Sequence, residues 1–159
     1  MDKSGNLYDE DFVRWTADQA AALRHAKTAG VNLPLDWDNL AEEIESLGRS
    51  DRRDLRSQIR RILRHLCKLA ASPAEGPRRG WRLTIGEARG EIADVLRDSP
   101  SLRREVDQMI AEEMSRAAEF AAADLDEHGE LAEKIRDQIE RIGFTADEVI
   151  GDWFPDEAG

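Results

Sequence analysis

One stripe of apolar residues, running from residue 40 to residue 69, constrains the fold of this chain more than any other feature. Its members recur at the three- and four-residue spacing of a helix face: they are Leu40, Ile44, Leu47, Leu55, Ile59, Ile62, Leu66 and Leu69. At about 100° per residue, Leu55 falls within about 20° of Ile44, so the stripe stays in phase across Gly48. The pattern predicts one helix of about 34 residues over 38–70, about 50 Å long. The alternative is a break at which Gly48 ends one helix and Ser50 caps the next.

Helical periodicity continues on both sides of this stripe, and no segment has the alternation of a strand. Further helices are predicted over 8–27, 81–96, 100–125 and 131–142, and Thr145 and Glu148 match a capping box that begins a last short helix. Ser99 and Pro100 mark a helix start, as N-cap and first helical residue. We therefore predict an all-α fold. It is a helical bundle of three to four long helices plus short C-terminal helices, in a single helical domain covering 1–159.

The composition excludes several classes of protein. No apolar run approaches the roughly 20 residues of a membrane helix, and the first residues lack the pattern of a secretory signal. Cys67 is the only cysteine among 159 residues, so the chain holds neither an internal disulfide nor a cluster of thiolate ligands. We expect a cytoplasmic protein that does not bind a membrane.

Charge is segregated along the chain. Residues 1–48 carry a net charge of −6, residues 49–89 carry +8, and residues 90–159 carry −13, which sum to the net −11 of the chain. Such an acidic surface repels nucleic-acid phosphates in general. Either the acidic ends fold over the basic middle, or the basic middle stays open to an anionic partner.

Three stretches carry a family resemblance. They are "YDEDFVRWTADQAAALR" at 8–24, "DWDNLAEEIESLGRSDRRDLRSQIRRILRHLCK" at 36–68 and "RGWRLTIGEARGEIADVLRDSPSLR" at 79–103. The chain resembles the bacterial family known as domain of unknown function 29. The resemblance implies a family-like core of about 8–125 in an all-helical bacterial domain, and a C-terminal helical extension over 126–159. It implies no activity. Cys67 stands where the family more usually has leucine.

Five arginines form the first candidate site, a face for an anion or a partner. Arg49, Arg53, Arg56, Arg60 and Arg64 fall within one sector of about 80° on the long predicted helix. Arg79 and its neighbours follow after a loop. Guanidinium forks suit phosphate or carboxylate groups. The competing interpretation pairs these arginines with acidic helices of the same chain or of a second copy.

Gly48, Asp51 and His65 form the second candidate, a buried polar site. In a continuous helix Gly48 and Asp51 lie on the apolar stripe, where a carboxylate needs a partner and a glycine permits close approach. Otherwise Asp51 fixes register or begins a second helix. His65 is expected to be a hydrogen-bonded histidine at the edge of the core, with Gln19 as one candidate partner.

Catalytic and metal chemistry has little support in the sequence. Glu42, Glu43 and Glu45 point to different sides of one helix and cannot converge on an ion. His65 and Cys67 point about 200° apart, so they do not form a nucleophilic pair. No nucleotide-binding or hydrolase motif occurs. We therefore expect no cofactor and no metal, and the question of enzymatic activity stays open, with non-catalytic function favoured.

Three functional hypotheses follow. The first is a non-catalytic cytoplasmic module that binds a protein partner or associates with itself. The second is a nucleic-acid-associated protein that uses the basic 49–82 segment. The third and weakest is a hydrolase or metal-dependent enzyme centred on Glu43, Asp51 and His65.

Overall fold

The computed structural model describes residues 6–155. Within that range it contains helices joined by short connections and no strand. The α-helices are α1 (Leu7–Glu10), α2 (Phe12–Thr28), α3 (Trp37–Ala71), α4 (Arg78–Asp98), α5 (Val106–Glu127), α6 (Glu133–Arg141) and α7 (Ala146–Ile150), with a 3₁₀ helix at Pro100–Glu105 between α4 and α5. The all-α prediction is confirmed.

The long helix α3 is continuous, as the in-phase stripe predicts. It runs through Gly48 without interruption for 35 residues. Its second half buries the stripe: Leu55, Ile59, Ile62 and Leu66 have no exposed surface. The first half does not, because Leu40 and Leu47 remain 39% and 46% exposed. The alternative with a break at Gly48 is wrong.

The helix predicted over 8–27 is in fact two helices, and Asp11 is the reason. Its backbone is extended, with φ −156° and ψ 93°, and its carboxylate accepts a hydrogen bond from Arg14 N–H at the start of α2. The same carboxylate accepts bonds from the backbone N–H and the hydroxyl of Ser101, at 2.8 and 2.9 Å. These bonds outweigh continuation of the helix through Asp11.

Two compact units make up the fold, and the division falls within α3 and α4. In the first unit, residues 6–54 and 94–104, the buried residues include Val13, Thr16, Ala20 and Ala41. There the Ser99 hydroxyl accepts a bond from Val13 N–H at 3.1 Å. Ser99 and Asp11 therefore each satisfy a free backbone N–H group of the opposite segment.

The second unit covers residues 55–93 and 105–155. Its core combines the buried half of the α3 stripe with Ile85, Ile92, Met109 and Leu125. Gly129, at φ +68°, follows the end of α5 in the left-handed conformation that glycine adopts at little cost. The helix expected over 131–142 is shorter, at Glu133–Arg141.

The C-terminal turn follows its sequence signal. Thr145 and Glu148 form the capping box of α7. Arg89 of α4 then donates to the carbonyl oxygens of Glu148, Val149 and Trp153 at 2.6–2.9 Å and lies 4.8 Å from the centre of the Phe154 ring. One guanidinium group thus satisfies carbonyls at the end of α7.

The expectation that the chain forms one domain stays a prediction.

Gly48 marks the closest approach of α2 and α3 in the first unit, and we expect Gly48→Ala to destabilise the protein. An added Cβ would lie 2.6 Å from Oγ1 of Thr16, whose hydroxyl donates to Val13 O at 2.7 Å. Overpacking of about 1–3 kcal/mol exceeds the gain of about 1 kcal/mol from glycine to alanine in a helix. Urea unfolding measures the net loss, about 1 kcal/mol.

Gly86→Ala and Gly90→Ala in α4 are the matched controls. Nothing lies within 4 Å of a Cβ at either position, so each change should stabilise the protein by up to about 1 kcal/mol. Thr16→Ala should rescue Gly48→Ala by removing the atom that clashes. Equal stabilisation by all three glycine substitutions would contradict the close approach.

Candidate functional site

The five arginines of the predicted face do not share one environment. Arg49 pairs within α3, with its guanidinium nitrogens 2.6 Å from Glu42 and 3.8 Å from Glu45. Arg24 of α2 also pairs with Glu45, which lowers the pKa of the Glu45 carboxyl. The first of the five arginines therefore belongs to a local network of the first unit.

Arg56 and Arg60 contact the carboxylates of α5 in the second unit. Arg56 pairs with Glu112 and lies 3.5 Å from Glu113, while Arg60 lies 3.2 Å from Glu113. Glu113 is 7% exposed, so its charge requires these partners. The hydrogen bond from Arg56 is the main reason that the pKa of Glu112 is lowered.

Arg64 and Lys68 share Asp124, the next acidic residue on the same side of α5. Arg64 binds both carboxylate oxygens, at 2.7 and 2.5 Å, and the Lys68 ammonium group lies 3.0 Å from Asp124. Burial alone would raise the pKa of this carboxyl, but the two hydrogen bonds and the two positive charges lower it to about 2. Arg64 also lies over the Phe120 ring at 5.3 Å, and Lys68 over Trp81 at 5.2 Å.

These pairs bear on the nucleic-acid hypothesis. Arg56, Arg60 and Arg64 are already engaged with carboxylates of α5, and a phosphate would have to displace them. Within the 49–82 segment, Arg53, Arg61 and Arg79 are exposed and have no ion-pair partner within residues 6–155. Three separate arginines provide few phosphate contacts for strong binding. The geometry therefore favours the internal interpretation of the basic segment.

Gly48, Asp51 and His65 differ in their burial. Gly48 is buried against Thr16, whereas Asp51 and His65 are only partly buried. Asp51 and His65 are also 14 residues apart on α3, which corresponds to about 21 Å of helix rise. Asp51 and His65 thus lie at different heights on α3, and the buried polar site stays a prediction.

Asp51 has an electrostatically unfavourable environment. Partial burial, followed by the nearby charges of Asp54 and Asp98, raises the pKa of its carboxyl. Within the described residues it has no hydrogen bond or salt bridge. A carboxylate repelled by two others and paired with none is a site that a cationic group would stabilise.

His65 and Cys67 have the properties of structural residues. His65 Nδ1 lies 2.8 Å from the carbonyl oxygen of Arg61, so the ring is bonded within its own helix and not to Gln19, which is exposed. Burial lowers the pKa of the His65 imidazole. Cys67 is buried, and desolvation raises the pKa of its thiol to about 12.

No group of three or more acidic, histidine or cysteine residues within 6–155 is arranged to hold a metal ion. Glu42 and Glu45 are instead paired with arginines. None of the described helices is long and apolar enough to cross a membrane.

Three surface features were not predicted from the apolar stripe. The first is the exposed side of α3 around Leu40 and Leu47. The second is a groove of about 760 Å³ in the second unit, lined by α5 and α6. The third is a smaller cavity of about 400 Å³ beside Lys68 and Trp81. The alanines of α5 were a signal for the groove, because small residues on a helix leave space beside it.

The family model for a domain of unknown function, DUF29, matches residues 7–153. The chain belongs to the DUF29 family. The match extends through α6 and α7. Asp11, in the 8–24 stretch, accepts hydrogen bonds from Ser101, in the 79–103 stretch. Two of the stretches that carried the resemblance are thus in contact.

A solved structure has a similar fold. The crystal structure of an α-helical protein of unknown function from Rhodospirillum rubrum superposes with a TM-score of 0.72 at 28% sequence identity, covering 91% of this chain and 89% of that chain. A search of curated proteins finds no match. The family and the fold are therefore shown, and the comparisons assign no activity.

The Asp124 ion pairs predict a specific acid sensitivity. Because the pKa of Asp124 in the folded protein, about 2, is below its unfolded value, its contribution to stability is full above about pH 4 and is lost as the pH falls towards 2. Between pH 5 and pH 2 the wild type should lose about 1–2 kcal/mol more stability than Asp124→Asn. Urea unfolding at each pH measures the difference. Asp126→Asn, at an exposed residue two positions along α5, should keep the wild-type profile.

Cys67 should be unreactive in the native state. A buried thiol with a pKa of about 12 is almost wholly protonated at pH 8, and the thiolate is the reactive form. We expect a chromogenic disulfide reagent to modify Cys67 only as fast as the protein unfolds, and to react completely in denaturant. Rapid stoichiometric modification of native protein would contradict this and reopen a nucleophilic role.

Proposed function

We propose that this chain is a non-catalytic helical module of the bacterial cytoplasm that binds a protein partner through the first half of α3. The observation that carries the proposal is the exposure of Leu40 and Leu47. These residues are two helical turns apart on one face and remain 39% and 46% exposed. Leu33 and Leu35, in the preceding connection, are 55% and 46% exposed. Contiguous exposed apolar residues mark interaction sites.

The charges around these leucines specify the partner. Glu43, Asp51 and Asp54 lie within about 60° of Leu40 on the α3 helical projection, and none has a salt bridge within the described residues. Partial burial, and then the charges of Asp54 and Asp98, raise the pKa of the Asp51 carboxyl, and a nearby cation would stabilise its charged form. The surface formed by Leu40, Leu47, Glu43, Asp51 and Asp54, here the α3 face, therefore suits a basic amphipathic helix of another protein.

Self-association through the α3 face is less favourable. A two-fold contact places the same surface on both subunits, so the carboxylates of one copy would approach those of the other. Such like-charge contacts are costly. A partner that carries lysine or arginine beside its apolar face has the complementary charge and avoids this repulsion.

The non-catalytic part of the proposal rests on the candidate groups already described. The thiol of Cys67 is buried with a pKa of about 12, and His65 is bonded to a backbone carbonyl of its own helix. Neither is arranged as a nucleophile with a base. A single cysteine per chain is in keeping with a reducing compartment.

Leu47→Glu tests the proposal against simple charge attraction. The probe is a fluorescein-labelled 18-residue peptide with leucine on one helical face and lysine on the other. We expect the substitution to weaken binding about tenfold, because apolar burial is lost although the protein becomes more acidic. Fluorescence anisotropy at 100 mM salt measures the dissociation constant. Leu40→Glu should act in the same way.

Leu83→Glu is the matched control, since Leu83 is 60% exposed on α4 and outside the α3 face. It should change binding less than twofold. Unchanged or tighter binding by Leu47→Glu would refute the α3 face. Concentration-dependent dimerisation that Leu47→Glu abolishes would assign the face to a second copy instead.

A further inference from the structure

The groove between α5 and α6 is a separate binding surface in the second unit, independent of the α3 face. On α5 its lining recurs every three or four residues, from Ala111 through Ala118 and Ala122 to Asp126. This span of 16 residues, 111–126, corresponds to about 22 Å of helix. Leu131, Ile139 and Ile142 line the α6 side. A groove with this length and regular spacing is matched to an α-helix of about four turns.

The floor of the groove permits close approach. Ala118, Ala122 and Leu131 pack against the core cluster of Leu125 and Ile139, yet all three are only partly buried. Alanine side chains on α5 leave a channel that the axis of another helix can approach closely. The groove has a volume of about 760 Å³ and is open to solvent.

The rim of the groove has a net negative charge. Glu119, Asp126 and Glu140 line it together with Arg136, and all four are exposed. None of the three carboxylates has a salt bridge within residues 6–155. An acidic rim around an apolar floor favours an occupant with cationic side chains beside an apolar face. It disfavours an anionic lipid, a nucleic acid or a second copy of this acidic chain.

We propose that this groove binds a basic amphipathic α-helix of a partner protein, with the apolar face of that helix on Ala118, Ala122 and Leu131. Its lysine or arginine side chains pair with Glu119, Asp126 and Glu140. The recognition mode is helix-in-groove. No covalent step or cofactor is involved.

The test uses the full chain and a 16-residue amidated helical peptide of alanine, leucine and lysine with a nitroxide at one end. We expect the nitroxide to broaden the amide signals of 111–126 and 131–142 in the NMR spectrum. The amide signals of residues 40–54 report binding at the α3 face separately. Loss of binding at the groove is therefore distinguished from loss of binding at the α3 face.

Charge reversal on the rim supplies the quantitative test. Followed through the amide signals of residues 111–126, Glu119→Lys with Glu140→Lys should weaken peptide binding to the groove about tenfold, from the loss of two exposed ion pairs and the repulsion that replaces them. Glu127→Lys with Glu133→Lys has the same net charge on the same two helices but lies outside the groove lining. This control should weaken binding less than threefold.

Three outcomes would overturn the proposal. They are broadening confined to signals outside the groove, equal weakening in the two double variants, and absence of binding at 100 mM salt. The second outcome would mean general attraction to an acidic protein. Groove signals that shift with protein concentration while the peptide fails to bind would assign the groove to a second copy.

Discussion

Neutralisation of the α3 cations by carboxylates of α5 is the interaction on which the second unit depends. The buried half of the α3 stripe has arginine and lysine at its edges, so packing another helix against it brings those charges into partly desolvated positions. Glu113 and Asp124 lie where the cations of α3 reach them. Removing one of these carboxylates leaves a partly buried cation without its partner. The resulting loss of stability exceeds the stability that the intact pair contributes. Among the cations of α3, Lys68 is the most sensitive, because it is 7% exposed.

A second set of polar contacts organises the first unit. Asp11 caps α2 and accepts two bonds from Ser101, while Ser99 accepts a bond from Val13. The free N–H groups at a helix start need partners, and each segment supplies them for the other. At Gly48 of α3, Thr16 of α2 lies so close that an added Cβ would clash with its hydroxyl oxygen.

The candidate functional surfaces share one chemistry, apolar residues bordered by carboxylates without salt-bridge partners. On the α3 face, partial burial and then the charges of Asp54 and Asp98 raise the pKa of the Asp51 carboxyl. On the second unit, Glu119, Asp126 and Glu140 border the groove. Arg56, Arg60 and Arg64 are engaged with other carboxylates of α5, and Arg136 offsets part of the charge at the groove rim. The net negative charge of both surfaces would suit a cationic partner.

The sequence by itself determined the helices. Periodicity and capping are local, so the continuity of α3, the capping box of α7 and the all-α class could be predicted from residues close together in the chain. The family resemblance was also readable, because its motifs are short strings of residues.

Tertiary structure decided which charges are paired, since Arg56, Arg60 and Arg64 meet carboxylates 53–60 positions away. It also decided that Asp11 interrupts the first helix and that Leu40 and Leu47 stay exposed. Each of these outcomes depends on which helix packs against a given face. A periodic pattern indicates that a face is apolar, but it does not identify the helix that packs against that face.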